Sequence, residues 1–106
     1  MASDRLLPDQ AKSKLNLDLL MGQVVHTNHF RQRLAQKPYD ILAVDYVIAN
    51  GCIIRPPEWD DDCMMWKYRL EGTDPDGRWL VVIFAIDESD HTYLVTTFST
   101  DKPRRP

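Results

Sequence analysis

The stretch from Met64 to Phe98 places the strongest limit on what this chain can fold into. It contains three runs of strand-forming residues: Met64–Glu71, Trp79–Asp87 and Thr92–Phe98. The first separator holds an Asp-Pro-Asp-Gly sequence and the second is short and entirely polar, as tight turns usually are. Because parallel neighbours need a crossover of about a dozen residues, these short connections predict an antiparallel meander.

Alternation along the strands predicts which side chains face the core. In the first strand the apolar set is expected to face it: Met64, Trp66, Tyr68 and Leu70. The charged set is expected to face the other way: Lys67, Arg69 and Glu71. In the last strand, the same rule places three residues together on one side: Leu94, Thr96 and Phe98. The middle strand is apolar on both sides, as in a strand that is covered on both faces.

The residues before the meander predict three helices: Asp9–Met21, Asn28–Lys37 and Asp40–Ala49. In the first helix, residues at helical spacing are expected to form a buried stripe: Ala11, Leu15 and Leu19. Three more apolar residues are expected to broaden it: Leu17, Leu20 and Met21. Gly22 is placed to end this helix. The simpler interpretation is that this helix packs on the rest of the domain. The alternative is that it covers a functional site or contacts a partner protein. A very short strand is expected at Val24 and Val25.

The length of 106 residues predicts one domain. The order of predicted helices and strands indicates an α+β fold, with N-terminal helices packed on a three- to five-stranded antiparallel β-sheet. Its expected parts are a helical extension (1–23), the core (24–99) and a flexible tail (100–106). No apolar run approaches membrane-spanning length and no secretory signal is recognisable, so a cytoplasmic protein without membrane association is expected. In that compartment Cys52 and Cys63 are predicted to be buried free thiols rather than a disulfide.

Net charge is −3, and it is concentrated in the second half of the chain. Residues 58–106 carry eleven acidic and six basic side chains, a net −5, so residues 1–57 carry +2. An acidic chain is poorly suited to general nucleic-acid binding, which draws most of its affinity from phosphate neutralisation. A local basic patch on an acidic body remains compatible with this balance.

Two groups of side chains carry chemistry that could make a site. His29 and Arg33 are four apart on a helix, where an imidazole can move a proton and a guanidinium can hold a phosphate. Lys67, Arg69 and Glu71 share one strand face and could bind a substrate. Arg78 would join them in a simple hairpin register. The alternatives are an ordinary helix-surface pair and an ordinary solvent-facing strand.

The acidic residues from Glu58 to Asp62 are predicted to form a solvated loop. Their oxygen ligands suit calcium or magnesium, but their spacing matches no EF-hand pattern. No metal site is therefore assigned, and no cofactor is expected because no nucleotide-binding fingerprint is present.

The order of short motifs resembles a family of small bacterial domains of unknown function. The matching blocks are Val24–Arg33, Tyr68–Gly72, Asp76–Arg78 and Leu94–Phe98. That family is similar to the BrnT and RelE-like toxins of toxin–antitoxin systems, which are small ribonucleases with helices packed on an antiparallel sheet. The resemblance implies four catalytic candidates: His29, Arg33, Arg69 and Thr96.

Two functional hypotheses follow. In the first, the chain is a metal-independent endoribonuclease of toxin type, with RNA as substrate, an antitoxin-like protein as partner, and Lys67, Glu71 and Arg78 as substrate-binding residues. In the second, it is a non-catalytic module that holds a protein partner through the sheet or the first helix. The sequence leaves the oligomeric state open.

Overall fold

The computed structural model describes residues 6–101, and these form an α+β fold of three helices and a six-stranded mixed sheet. The helices are α1 (Pro8–Leu20), α2 (Asn28–Ala35) and α3 (Ile41–Asn50). The strands are β1 (Val24–His26), β2 (Cys52–Ile53), β3 (Glu58–Asp60), β4 (Met65–Thr73), β5 (Trp79–Ile86) and β6 (Thr92–Thr100). The predicted fold class and all three predicted helices are therefore confirmed, with ends shifted by up to two residues.

The strand order is β1-β6-β5-β4-β2, and β3 also pairs with β4. The three central strands form the predicted antiparallel meander. The short strand expected at Val24 and Val25 exists, but it pairs in parallel with the distant β6. The sheet is consequently mixed and has one strand more than the largest number expected. Nothing local encodes the parallel pair, because its two partners lie almost seventy residues apart.

One hydrophobic core lies between the helices and one face of the sheet. Each helix contributes fully buried side chains to it, including Leu15 of α1, Phe30 of α2 and Val47 of α3. Tyr68 and Leu70 of β4 face this core, as alternation predicted. None of the described helices packs on the opposite face, which we call the open face of the sheet.

A bulge in β6 places the side chains after Val95 on the opposite face of the sheet from the one predicted. Ile83 pairs with Thr96 but Phe84 pairs with Leu94, so Val95 is an extra residue in β6. Leu94 and Thr97 both face the core and are fully buried. Thr96 and Phe98 therefore lie on the open face, and the prediction that they share a side with Leu94 was wrong. Strict alternation fails wherever one strand inserts a residue.

Helix α1 buries a narrower stripe than the sequence predicted. Ala11 and Leu15 are fully buried, but Leu17, Leu20 and Met21 are 57%, 82% and 61% exposed. The expectation that these three broaden the buried face was wrong, because the buried position between them is taken by Asp18. Helix α1 ends at Leu20, and Gly22, two residues further on, has the left-handed conformation (φ 70°) that stops the helix, as predicted.

Asp18 is held by two neighbours. Its Oδ2 accepts hydrogen bonds from the Thr92 hydroxyl at 2.6 Å and from Lys14 Nζ at 3.0 Å. A buried carboxylate requires such partners, and they tie α1 to the start of β6.

The other helices begin where their capping residues predict. Thr27 accepts a hydrogen bond from the Phe30 N–H, and Asp40 accepts from Leu42 and Ala43. Helix α3 is less completely buried than its apolar sequence suggested, since Leu42 is 71% and Tyr46 45% exposed.

Close backbone contact at the end of α3 requires two glycines. A Cβ on Gly51 would lie 2.6 Å from the Glu71 carbonyl oxygen. A Cβ on Gly72 would lie 2.9 Å from the Gly51 Cα. The helix end therefore approaches β4 closely because neither residue has a side chain.

Two predictions about the middle of the chain were wrong. Residues 58–60 of the expected acidic loop form β3, because β4 offers this segment an unpaired edge for hydrogen bonding. Cys52 and Cys63 are free, as predicted, but both are exposed rather than buried. Cys52 lies on a two-residue strand at the sheet edge, and Cys63 in the turn before β4.

Buried or half-buried aspartates stabilise both predicted turns. Asp74 accepts hydrogen bonds from the Asp76 and Arg78 N–H groups, and Asp87 accepts from those of Ser89 and His91. Strand β6 continues through Thr100, and the rest of the expected tail, from residue 102, lies outside the described residues. Among residues 6–101, no helix has the length and apolarity needed to cross a bilayer.

Candidate functional site

The open face of the sheet carries a small pocket of about 170 Å³. Its walls include three cationic side chains and one carboxylate: Arg55, Lys67, Arg69 and Glu58. Lys67 and Arg69 come from β4, Glu58 is the first residue of β3, and Arg55 lies in the segment that leads into β3. Two predicted site residues, Lys67 and Arg69, are thus brought together. They are joined by Arg55, which the sequence did not single out, and by Glu58, which was predicted to lie in a solvated acidic loop.

Arg55 and Glu58 reach the pocket because of the two prolines between them. Strand β2 ends at Ile53, and after Pro56 and Pro57 the chain returns to β4 so that Glu58 pairs with Lys67. The side chain of Arg55 is exposed and takes part in none of the described hydrogen bonds or ion pairs. The available sequence signal was an arginine directly before a double proline.

Lys67 is held by a neighbouring aspartate. Its Nζ lies 2.6 Å from Asp60 Oδ2. The other oxygen of Asp60 accepts hydrogen bonds from the Asp62 and Cys63 N–H groups. The hydrogen bond from Lys67 is the main reason that the pKa of Asp60 lies below its ordinary value. The carboxylate therefore stays charged and keeps Lys67 paired at neutral pH.

Arg69 lies in a fixed orientation on the open face. Its Nε donates to Glu71 Oε2 at 3.0 Å, and its guanidinium lies 5.5 Å from the centre of the Phe98 ring. The other Glu71 oxygen accepts from Trp79 Nε1 at 3.0 Å. Glu71 is 1% exposed and has both oxygens bonded, so the structure gives it a role inside the sheet. Within residues 6–101, neither terminal nitrogen of Arg69 has a hydrogen-bond partner, so both can donate to a ligand.

Thr96 lies in the same row of the sheet as Arg69. Arg69 pairs with Ile83, and Ile83 pairs with Thr96, so two strand spacings, roughly 10 Å, separate their backbones. The β6 bulge is what turns Thr96 towards this face. Thr96 is half-buried there but is not part of the pocket wall.

Arg78 lies at the opposite end of β4 from Lys67. Its Nη1 binds Asp74 Oδ2 at 3.0 Å and Asp76 Oδ2 at 3.3 Å. It precedes Trp79, which pairs with Thr73, six residues or roughly 20 Å along β4 from Lys67. The structure therefore places Arg78 in the turn rather than in the pocket.

His29 and Arg33 are exposed on α2, on a different side from the buried Phe30. Helix α2 packs beside β6, the strand that carries Thr96. Neither side chain lines the pocket, and no hydrogen bond or ion pair within residues 6–101 joins either to Arg69 or Lys67. The described contacts thus bring Lys67 and Arg69 together but leave the helix pair separate.

The remaining histidines have partners that the sequence did not indicate. His26 lies against the Phe30 ring at 5.8 Å, and His91 Nδ1 lies 3.2 Å from Asp87 Oδ2. No three histidine, cysteine or acidic side chains in the described part of the chain come together as metal ligands.

Comparison with protein families gives one match. Residues 26–99 match the model of DUF4258, a domain of unknown function. The chain belongs to the DUF4258 family. The matched region of this DUF4258 domain includes α2, α3 and almost all of the meander, and therefore contains both His29 and the pocket. No curated protein and no solved structure gives a match.

Proposed function

We propose that this DUF4258 domain is a toxin-type domain similar to the RelE and BrnT ribonucleases, and that it cleaves RNA without a metal ion. One observation carries the proposal: three cationic side chains surround one pocket on an open sheet face of an otherwise acidic protein. Phosphate is the common anion that such a cluster suits, because guanidinium groups bind it in a fixed, forked geometry.

The roles follow from the chemistry of each side chain. Arg69 has two free terminal nitrogens and would stabilise the negative charge that grows on phosphate in the transition state. Lys67 would assist phosphate binding. His29 is exposed on α2, outside the pocket, and would serve as general acid or base for RNA that extends from the pocket to this helix, with Arg33 one turn further along. Thr96 would contribute a hydroxyl from the same sheet row as Arg69.

RNA cleavage by the purified protein in EDTA tests this proposal. A general acid or base accelerates such a reaction by roughly a hundred- to ten-thousand-fold, so His29→Ala should lose activity on that scale. His91→Ala is the matched control, because His91 is an exposed histidine in the β5–β6 turn. Absent cleavage, or equal cleavage by wild type and His29→Ala, would contradict the assignment.

A second candidate function is a non-catalytic module that binds a protein partner. The observation in its favour is the exposed apolar surface at the end of α1, formed by Leu17, Leu20 and Met21. The existing pairs of Lys67 with Asp60 and of Arg69 with Glu71 also reduce the free positive charge of the pocket.

Expression in bacteria separates the two candidates. Growth arrest that depends on His29 supports the ribonuclease. Normal growth together with intact RNA in vitro supports the interaction module. In that case the partner need not be an antitoxin-like protein.

A further inference from the structure

We propose that the pocket formed by Arg55, Lys67 and Arg69 binds one phosphate group of single-stranded RNA, and that Asp60 competes with this phosphate for Lys67. The inference rests on the proposed function, because it specifies where that function holds its substrate. It adds two residues with assigned roles: Arg55 as a phosphate ligand and Asp60 as an internal competitor.

Donor availability favours a phosphate in this pocket. Arg55 has no partner among the described residues, so its whole guanidinium is free. Arg69 uses only Nε, and contact with Phe98 holds the plane of its guanidinium. Two arginines with unused donors beside one lysine can supply several charge-assisted hydrogen bonds to a single phosphate.

The charges near the pocket explain the competition. The lining residues carry three positive charges and one negative charge. Asp60 and Glu71, each bonded to one of the cations, bring the local sum to zero. The free protein is thus already balanced, so a bound phosphate adds one negative charge and must compete with the carboxylates for the donors of these cations.

Asp60 is the carboxylate that can release its partner. Glu71 is 1% exposed and also holds Trp79, so it is fixed within the sheet. Asp60 lies on the short edge strand β3, and its Oδ2 has Lys67 as its only described partner. Lys67 is 34% exposed on a flexible stem, so Nζ can move from Asp60 to a bound phosphate.

The substitution Asp60→Asn isolates this competition. An Asn side chain keeps an oxygen that can accept from the Asp62 and Cys63 N–H groups, but it loses the charge that holds Lys67. Asp62→Asn makes the same change in net charge at an exposed neighbour whose side chain has no described contact with Lys67. Circular dichroism and thermal unfolding of each variant verify that it is folded.

Fluorescence anisotropy of a labelled single-stranded oligoribonucleotide measures the effect. Asp60→Asn should bind roughly three- to tenfold more tightly than wild type, since one repulsive charge near the phosphate is removed. Asp62→Asn should gain clearly less. Equal gains in the two variants would overturn the competitor role of Asp60.

Arg55→Ala tests the pocket directly, with Arg31→Ala as the matched loss of an exposed arginine on α2. Arg55→Ala should weaken binding roughly tenfold. The slope of log K against log salt should fall in magnitude by roughly 0.7, as expected for one lost phosphate contact to a single strand. Equal losses of RNA affinity in Arg55→Ala and Arg31→Ala would show that RNA binds by general attraction to positive charge. That result would overturn the proposal that the pocket binds phosphate.

A cleavage assay in EDTA on the same samples separates this inference from the proposed function. RNA that binds with the expected dependence on Arg55 and Asp60 but stays intact contradicts the ribonuclease and supports the pocket. RNA that is cleaved with no dependence on either residue supports the ribonuclease and overturns the pocket. No binding by wild type or by Asp60→Asn overturns the pocket as well.

Discussion

The Nε atom of Arg69 donates a hydrogen bond to Oε2 of Glu71 at 3.0 Å, and the carboxylate that accepts it is almost completely buried. The two residues were predicted to act together as part of a charged substrate-binding row. Their contact instead separates their roles. Glu71 accepts hydrogen bonds from Arg69 and Trp79 within the sheet, whereas the terminal nitrogens of Arg69 take part in none of the described hydrogen bonds.

Glu71→Ala should destabilise the protein substantially. Removing the carboxylate leaves the part-buried Arg69 charge and the Trp79 Nε1 donor without their partner. A loss of about 3 kcal/mol in the free energy of unfolding is expected, the usual cost of breaking a buried ion pair from one side. Urea denaturation measures it, with the exposed turn residue Glu88 mutated to Ala as control. A loss equal to that of Glu88→Ala would show that the network contributes little.

Gly51→Ala should also be destabilising, for a steric reason. The new Cβ would lie 2.6 Å from the Glu71 carbonyl oxygen and 2.7 Å from that of Val47, so α3 must move away from β4. Such overpacking costs about 1–3 kcal/mol. Gly77→Ala is the contrasting variant, because a Cβ there meets nothing within 4 Å and only its positive φ of 87° is unfavourable. Thermal unfolding would contradict the prediction if Gly51→Ala melted at the wild-type temperature.

Thr97→Val and Thr96→Val together test the β6 bulge. Thr97 is buried, donates to the Val81 carbonyl and shares a hydrogen bond with the Tyr39 hydroxyl. Its replacement leaves two buried polar groups unsatisfied and should cost about 1–3 kcal/mol. Thr96 lies half-buried on the open face, so Thr96→Val should change the free energy of unfolding by about 0.5 kcal/mol or less. The reverse ranking would mean that β6 alternates without a bulge.

Asp74 should make stability depend on pH in the acid range. Burial by itself would raise the pKa of Asp74, but hydrogen bonds from the Arg78 N–H and guanidinium, and from the Asp76 N–H, hold it below its ordinary 3.8. Since the folded-state pKa is the lower one, this contribution is complete above about pH 4 and is lost as pH falls through the folded pKa.

Asp74→Asn should therefore lower the free energy of unfolding at neutral pH and flatten its decline below about pH 4. Chemical denaturation at a series of pH values measures both effects. Asp76→Asn serves as control, because the Asp76 side chain is 75% exposed. An unchanged acid dependence in Asp74→Asn would show that other carboxylates control acid unfolding.

Much of the fold could be predicted because its signals are local. Thr27 and Asp40 cap their helices through residues two or three positions away. The aspartates at 74 and 87 build their turns from the next four residues. Alternation placed Tyr68 and Leu70 in the core correctly, because β4 continues without a bulge.

The candidate site was predicted only in part. Lys67 and Arg69 share the pocket because they are two apart on one strand, a relationship visible in the sequence. Arg55 and Glu58 join them because β3 pairs with β4. This pairing was not predicted, since the acidic composition of residues 58–62 indicated a loop. Glu71 and Arg78 were predicted to bind substrate from their charge alone. In the structure Glu71 bonds to Trp79 within the sheet, and Arg78 bonds to Asp74 and Asp76 within the turn.

By itself, the sequence determined the α+β class, the three helices, the meander and its turns, because caps, turn residues and periodicity act over a few neighbouring residues. Only the tertiary structure decided the parallel pairing of β1 with β6, the side on which Thr96 lies and the partners of Arg69 and Lys67. Those features depend on strand register and burial between distant segments, where competing pairings have similar local preferences and packing selects among them.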